Sequence, residues 1–394
     1  MKSKFTIILI LALIIFFSIQ TGFSQGCVAI RNMSCSGGPA MISGNTTGLL
    51  NKGEFQALMG YRHFKSFRHF RGKNEEANRV ADGTEVINHF NSFDLGLSYS
   101  LTSRLSLTAV LPVTINNRSS LYEHYGNSGV SNPEHNRFHT NSAGAGDIRL
   151  SATYWLLNPS KYSKGNFAIG LGIKAPTGNA GVEDDFHKLD SLGNDYTVRR
   201  PVDQSIQLGD GGWGINLEIQ GYHLLFNKAN VYFSGFYLSN PREVNDVLRS
   251  STSNPGDPYS YFSVADQYAA RLGFNYLPMP DFGVSVGGRV EGVPSEDLTG
   301  GSKGFRRPGY IISVEPGITY SYRRATFNLN APIAIFRNRV QSAQDKEKTA
   351  QTGVYTIGDA AFADYLINAT LTYRFGGNSE MDHQQLGDVI PPEN

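Results

Sequence analysis

The sequence predicts an all-β protein: a transmembrane, antiparallel, up-and-down β-barrel of about 12 strands with periplasmic N- and C-termini. Three observations lead to this prediction. Apolar and polar side chains alternate over segments long enough to cross a bilayer, short turns alternate with long polar loops, and aromatic residues stand at the ends of the apolar faces. All three are typical of barrels that span a bacterial outer membrane.

The N-terminus has the pattern of a secretory signal peptide. Basic residues come first, an apolar stretch runs from Phe5 to Ile19, and small residues follow at Gly22 and Ser24. We therefore expect a signal peptide over residues 1–24, because the apolar stretch is too short for a typical spanning helix. Its removal takes Lys2 and Lys4 with it and changes the formal net charge from +1 to −1, so the charge gives no reason to expect a nucleic-acid partner.

Residues 25–52 form a polar segment that holds both cysteines, Cys27 and Cys35. In an oxidising compartment these two thiols are a candidate disulfide pair. A second interpretation is that Cys27 is lipidated, as in a lipoprotein, although Ser24 stands where an aliphatic residue is expected. The segment is either a periplasmic arm or a plug that folds into the barrel, and the sequence leaves both open.

The barrel is predicted to cover residues 53–375. In its closing strand the apolar set is Tyr365, Ile367, Ala369, Leu371, Tyr373 and Phe375, and the residues between them are polar except Leu366. A period of two is the signature of a β-strand with two different faces. The same alternation predicts strands at 53–64, 90–102, 104–116, 146–157, 165–176, 212–226, 229–239, 267–277, 281–292, 310–323, 325–337 and 364–375.

The connections between these strands alternate strictly between short and long. Short turns are typical of the periplasmic end of an outer-membrane barrel, and long loops of its external end. An even number of strands brings both ends of the chain to the periplasm and leaves residues 376–394 as a periplasmic tail. A soluble β-sandwich or propeller is the alternative, but such domains seldom need strands this long. The expected partners are outer-membrane lipid, the barrel-assembly machinery and an unidentified small-molecule solute.

Assigning the apolar side chains to lipid places the other set in the lumen. This set contains six acidic and six basic residues, which need either a partner of opposite charge or water. The lumen is then either an ion-paired interior that stiffens the wall or a polar conduit. The lumen-facing candidates are Glu54, Arg62, Asp94, Asp147, Arg149, Lys174, Glu218, Arg271, Arg289, Glu291, Glu315 and Arg374.

The sequence contains no strong motif for catalysis or cofactor binding. The segment from Gly283 to Gly287 matches G-x-S-x-G, but it lies within an alternating strand and not at the strand-to-helix turn that activates a serine. The pair His135 and His139 lies in a long loop without further ligands at fixed spacing. We therefore expect no catalytic residues, no metal and no cofactor.

Three motifs point to a family. They are Gly-Ala-Gly-Asp-Ile-Arg-Leu over residues 144–150, Ile-Lys-Ala-Pro-Thr-Gly over 173–178 and Gln-Leu-Gly-Asp-Gly-Gly-Trp over 207–213. Together they resemble the outer-membrane barrels grouped as "MetA-pathway of phenol degradation" proteins, which are described as transporters. The resemblance covers the predicted barrel from about its second strand onward, and implies passage of aromatic or other hydrophobic small molecules.

The function predicted from these features is that of a porin-like outer-membrane channel, not an enzyme, that passes small solutes passively. Two alternatives stay open: an outer-membrane hydrolase that acts on lipid or surface substrates, and a sealed barrel with a structural or adhesive role.

Overall fold

The computed structural model describes residues 42–43, 46–47, 49–158, 161–162, 164–226, 228–250 and 252–377. The predicted signal peptide, the cysteine pair Cys27 and Cys35, and the tail after residue 377 lie outside the described residues. None of the helices within the described part is long and apolar enough to cross a membrane.

The described chain is built almost entirely from strands, numbered β1 to β21 in chain order. Most of them belong to one large sheet, and the others form short pairs in the connections. The strands are β1 (Ile42–Ser43), β2 (Thr46–Thr47), β3 (Glu54–Arg71), β4 (Asn74–Glu75), β5 (Ile87–Ser100), β6 (Leu105–Ser120), β7 (Phe138–Ala145), β8 (Arg149–Trp155), β9 (Gly165–Lys174), β10 (Glu183–Leu189), β11 (Asp195–Pro201), β12 (Gly214–Phe226), β13 (Ala229–Ser239), β14 (Val244–Leu248), β15 (Tyr261–Ser263), β16 (Gln267–Met279), β17 (Phe282–Val293), β18 (Gly309–Tyr322), β19 (Ala325–Asn330), β20 (Ile333–Arg339) and β21 (Ala360–Gly376).

The large sheet closes on itself. Its last strand, β21, pairs antiparallel with its first long strand, β3, from Ala360 opposite Phe70 to Gly376 opposite Glu54. Every other neighbouring pair around the wall is also antiparallel, and each strand pairs with the next in sequence. The prediction of a closed antiparallel barrel with 12 wall positions is confirmed.

Two wall positions are each divided into two strands. The sequence predicts one strand for each, at 146–157 and 325–337, and is wrong about β7, which lies wholly before the first of these in a segment predicted as a loop. The fourth consists of β7 and β8, separated by residues 146–148, and the eleventh of β19 and β20, separated by residues 331–332. Each break faces a proline: Gly146 N–H donates to Pro112 O at 2.8 Å, and Ala331 N–H donates to Pro316 O at 3.0 Å. Proline has no backbone N–H to donate to the neighbouring strand. The ladder of hydrogen bonds between the strands is therefore interrupted opposite each proline.

The end of the barrel that carries the long connections, the loop end, extends farther than the sequence predicts. The opposite end, with the short connections, is the turn end. β3 continues to Arg71 instead of ending near residue 64, and β21 begins at Ala360. The long connections also fold: β10 and β11 form a hairpin, β14 pairs with β15, and two helices occur, α1 (Asn78–Ala81) and α2 (Ala343–Thr352). Helix α2 starts with a capping box between Ser342 and Asp345, a local signal that alternation between strand faces does not reveal.

The outer surface of the wall is an apolar belt. Its exposed residues include Leu97, Leu171, Leu217 and Val286, each on the strand face opposite the polar set. Aromatic residues mark both edges of the belt, among them Tyr154, Tyr320 and Tyr373 at the turn end and Trp213 and Tyr365 at the loop end. Contiguous exposed apolar surface of this kind is typical of a barrel wall that faces hydrocarbon.

Leu171→Arg tests whether this belt faces lipid. The Leu171 side chain is 61% exposed in the middle of the belt, so we expect arginine to lower the free energy of unfolding in lipid vesicles by about 2–4 kcal/mol. Denaturant titration of the vesicle-inserted protein, followed by its tryptophan fluorescence, measures the change.

The matched control is Leu192→Arg in the tip of the β10–β11 hairpin, where Leu192 is 84% exposed away from the belt. We expect this variant to unfold like the unmodified protein. Equal effects of the two substitutions would contradict a lipid-facing belt.

Candidate functional site: a charged lumen beneath a folded-in loop

The middle of the lumen contains an ion-pair network, the central cluster, formed by Arg62, Arg271, Arg289, Glu291 and Glu315. Glu291 lies 2.6 Å from Arg289 and 3.7 Å from Arg62, and Glu315 lies 3.4 Å from Arg271 and 3.9 Å from Arg289. The five residues come from β3, β16, β17 and β18, so the network joins the closing side of the barrel to strands that lie well away from it in the sheet order.

The side chains of the central cluster are shielded from solvent. All five side chains are buried, and those of Arg289 and Glu291 have no exposed area. Removing charges from water is expensive unless each meets an opposite charge and further hydrogen bonds. At this level the lumen therefore contains ion-paired charges of both signs.

All twelve charged residues predicted to face the lumen are buried or half-buried, on the side of the wall opposite the apolar belt. Asp94 lies beside the central cluster, close enough to interact electrostatically with Arg62. Arg149 and Glu218 form a second pair of opposite charges on neighbouring parts of the wall. At the turn end, Arg374 donates to Leu49 O at 3.3 Å, and a Glu54 carboxylate oxygen accepts from Asn51 N–H at 2.8 Å.

The chain just before the barrel enters the turn end. Leu49 packs against an inward-facing apolar cluster of Trp155, Ala168 and Tyr222. Leu50 is buried, and its carbonyl accepts from Ser100 Oγ at 3.3 Å. The end of the predicted arm thus occupies the rim of the lumen, whereas the cysteine-bearing part lies outside the described residues.

Asp147, Lys174 and Asp210 form a second charged group, the latch, at the break between β7 and β8. Lys174 Nζ contacts Asp210 Oδ2 directly and lies 4.0 Å from Asp147 Oδ2. Asp147 also accepts from Gly178 N–H at 2.9 Å and from Asp210 N–H at 3.1 Å. The latch therefore fixes both ends of the long β9–β12 connection to the broken wall strand.

The latch explains why three separate motifs occur in the sequence. Asp147 belongs to the motif at 144–150, Lys174 to the one at 173–178 and Asp210 to the one at 207–213. Asp210 was missed as a site residue because it lies in a loop, where alternation assigns no face. Its position in a glycine-rich motif was the available signal: a Cβ at Gly209 would lie 2.6 Å from Asp147 Oδ1, so only glycine fits there.

Residues 202–212, the inner segment, turn from the latch back into the barrel. Asp203 caps a short 3₁₀ turn at Gln204–Ile206 and accepts two hydrogen bonds from Arg307, at 2.9 and 2.8 Å. It also lies 3.6 Å from Arg118 of β6. Because these are side-chain ion pairs and not ladder hydrogen bonds, the inner segment is held in the lumen without being part of its wall.

A small pocket of about 70 Å³, with both polar and apolar lining residues, lies beside the inner segment. Its apolar lining includes Phe64, Phe90, Ile206 and Phe262. Phe64 and Phe90 stack with ring centroids 4.9 Å apart, on the face of the wall that elsewhere carries polar residues. Near the inner segment the lumen thus carries aromatic side chains beside polar ones such as Asn88 and Gln204.

A wider chamber of about 410 Å³, the loop-end chamber, lies above this pocket and shares Arg306 and Arg307 with it. The upper ends of β3, β6, β20 and β21 form its base, and the long connections form its sides. The size is within the range of small-molecule sites, about 300–1,000 Å³.

One group of potential metal ligands lies near the chamber. The ligand atoms of His69, Glu76 and Asp359 all lie within 4.8 Å of one another. Arg79 already pairs with both carboxylates, at 3.2 Å from Asp359 and 4.0 Å from Glu76, and Val86 N–H donates to His69 Nε2 at 2.9 Å. The group is therefore an ion-pair network in which the guanidinium provides the positive charge.

Ser285, the serine of the G-x-S-x-G match, lies in the middle of β17. Its Oγ is buried and makes no hydrogen bond to any group in the described part of the chain. A nucleophilic serine needs a base within hydrogen-bond reach, so Ser285 lacks the arrangement of a hydrolase.

No family model matches the chain, and no curated protein does. Several solved structures of outer-membrane barrels are similar to it. They include a TodX monoaromatic hydrocarbon channel deltaS2 mutant (11% identity, 92% of this chain and 98% of that chain, TM-score 0.45), a Pseudomonas aeruginosa FadL homologue (8%, 90% and 99%, TM-score 0.39) and the Ralstonia pickettii toluene transporter TbuX (10%, 86% and 94%, TM-score 0.39). TM-scores below 0.5 do not assign a function to this chain.

Glu291→Gln tests the central cluster. Glutamine keeps the shape of the side chain but leaves the buried guanidinium groups of Arg62 and Arg289 with one carboxylate fewer. We expect the free energy of unfolding to fall by about 3–5 kcal/mol, the range for breaking a buried ion pair, as measured by denaturant titration in vesicles.

Glu183→Gln provides the control, because Glu183 forms only an exposed pair with Arg199 at 3.8 Å. We expect a change of about 1 kcal/mol or less. A loss at position 291 no larger than this would show that the cluster does not hold the lumen together.

Lys174→Met tests the latch. Without the ammonium group, the carboxylates of Asp147 and Asp210 repel each other, so the inner segment should separate from the wall more often. We expect amide hydrogen exchange over residues 203–210 to become at least about tenfold faster, whereas exchange in β16 and β17 stays unchanged. The control is Lys161→Met, which removes an exposed lysine at the turn end and should leave hydrogen exchange in both regions unaltered. Unchanged exchange in the Lys174 variant would refute the latch.

Proposed function

We propose that this protein is an outer-membrane channel that lets small solutes cross passively, with the inner segment as its movable constriction. The observation that carries the proposal is that ion pairs from Asp203 hold this segment across the lumen, between the loop-end chamber and the central cluster. A barrel with only a structural role needs no chamber above a separately tethered segment.

The orientation follows from the two kinds of connection. Long folded loops at one end and short turns at the other are typical of outer-membrane barrels, whose loops face the exterior. The loop-end chamber is then the external mouth, and Leu49 and Leu50 lie at the periplasmic rim. Outer-membrane lipid surrounds the apolar belt in this arrangement.

The aromatic side chains in the small pocket support a solute with an apolar or aromatic part. Phe64, Phe90, Ile206 and Phe262 offer such a solute a contact surface directly below the chamber. This agrees with the resemblance to "MetA-pathway of phenol degradation" barrels, whose name implies aromatic compounds. A non-enzymatic role fits the isolated Ser285, which has no base beside it in the described part of the chain.

Asp203→Asn tests the proposal. Asparagine keeps the size of the side chain and its ability to cap the 3₁₀ turn, but removes the charge that binds Arg307 and Arg118. In planar bilayers we expect small or infrequent single-channel steps from the unmodified protein. The variant should open more often or with larger steps, because the inner segment leaves the lumen more easily.

The control is Asp195→Asn, since Asp195 pairs with His187 in the exposed β10–β11 hairpin, away from the lumen. It should conduct like the unmodified protein. Heat-modifiable gel migration checks that all three proteins are folded. If none of the folded proteins produces single-channel steps in planar bilayers, the channel is rejected and a sealed barrel is favoured.

A further inference from the structure

The loop-end chamber is strongly basic. Six arginines and His69 line it, against two acidic residues, Asp345 and Asp359. The arginines come from the wall strands and from three different connections, so the fold concentrates positive charge here from distant parts of the sequence. They are Arg79, Arg118, Arg249, Arg306, Arg307 and Arg339.

Most of these arginines have a carboxylate partner. Arg306 makes two hydrogen bonds with Asp297, at 2.6 and 2.5 Å, and Arg339 lies 3.1 Å from Asp345. Arg79, Arg118 and Arg307 pair with Asp359, Glu123 and Asp203. These pairs hold the guanidinium groups in fixed positions around the chamber.

Arg249 is the exception. Across the described residues no carboxylate lies within 4.0 Å of its guanidinium, whose one hydrogen bond is a 3.4 Å contact from Nη1 to Tyr259 O. Its guanidinium carbon lies 3.4 Å from the centroid of the Phe305 ring, and that of Arg307 lies 4.7 Å from the same centroid. Burial, and then the nearby charge of Arg307, lower the pKa of Arg249 to about 10, as expected of a cation that lacks an anion.

Buried hydrogen-bond donors without acceptors also line the chamber. Arg306 and Arg339 are each only 3% exposed. Their Nε–H groups are buried and have no acceptor among the described residues. Leaving a buried charged donor unsatisfied is unfavourable, so such groups are rare without a function. Together with Arg249, they are donors ready for an anion that the chain itself does not provide.

We propose that the loop-end chamber binds the carboxylate of a small organic solute, with Arg249 as the principal contact. A guanidinium fork matches the two oxygens of a carboxylate, and Arg306 and Arg307 line both the chamber and the small pocket below it, where Phe64, Phe90 and Phe262 offer apolar contacts. This inference rests on the proposed function in one respect: it names the class of solute that the channel captures.

Arg249→Gln tests the site without removing the partner of any carboxylate. We expect benzoate to bind the detergent-solubilised full-length protein in isothermal titration, and the variant to bind at least about tenfold more weakly, because a charge-assisted hydrogen bond is lost. Arg199→Gln makes the same charge change in the exposed β10–β11 hairpin and should bind benzoate like the unmodified protein. Equal affinity of the Arg249 variant and the unmodified protein would overturn the site.

Gln344→Glu is a second variant that does not weaken the fold. Gln344 is exposed in the first turn of α2, where a negative charge favours the helix, yet it lines the chamber. We expect this new charge to repel benzoate and weaken its binding several-fold. Unchanged binding here, with the helix intact by circular dichroism, would contradict a site in the chamber.

Two further probes define the ligand. Acetate should compete with benzoate for the same site but more weakly, since it lacks the apolar part. Inorganic phosphate that binds more tightly than benzoate would overturn the assignment to a carboxylate. Titration measures binding independently of transport. If bilayers show no single-channel steps but benzoate binding depends on Arg249, the channel is rejected and this site is supported.

Discussion

Closure of the sheet between β3 and β21 is the constraint on which the rest of the structure depends. A strand surrounded by lipid has no water for its backbone groups, so each N–H and C=O must pair with a neighbouring strand. The pairing from Gly376 opposite Glu54 to Ala360 opposite Phe70 closes the sheet between these two strands, with register shifts around Ala363. Once the wall is closed, apolar side chains cover its exterior, and the polar set has only the lumen to occupy.

The closed wall determines how the interior is stabilised. A barrel of this size has no continuous hydrophobic core, and its described apolar clusters are small groups such as Phe64, Phe90, Ala363 and Leu366. Ion pairs join distant wall strands in their place, from β3 to β17 and from β16 to β18. Residues 202–212 are likewise held by side-chain bonds, among them the ion pairs of Asp203 with Arg307 and of Asp210 with Lys174.

The sequence was most informative where structure has a period of two. Alternation predicted one strand at each wall position and a lumen-facing set of twelve charged residues, because within a strand the parity of a side chain determines its face. It could not place Asp203, Asp210, Arg249 or Arg307, which lie in connections without such a period. Nor did it locate the strand breaks: each depends on a proline in a neighbouring strand, at Pro112 or Pro316, and so on which residues face each other across the ladder.

The length of β3 determines how far the loop-end chamber lies from the apolar belt. This strand has 18 residues, whereas a tilted strand crosses a bilayer with about 9–11. The loop-end edge of the apolar belt is marked by Tyr365, and Ala360 and Ala361, at the base of the chamber, lie four to five residues farther toward the loops. The chamber therefore stands clear of the hydrocarbon layer. A carboxylate that reaches Arg249 is collected from the surrounding water and not from the membrane, so its charge never has to enter lipid.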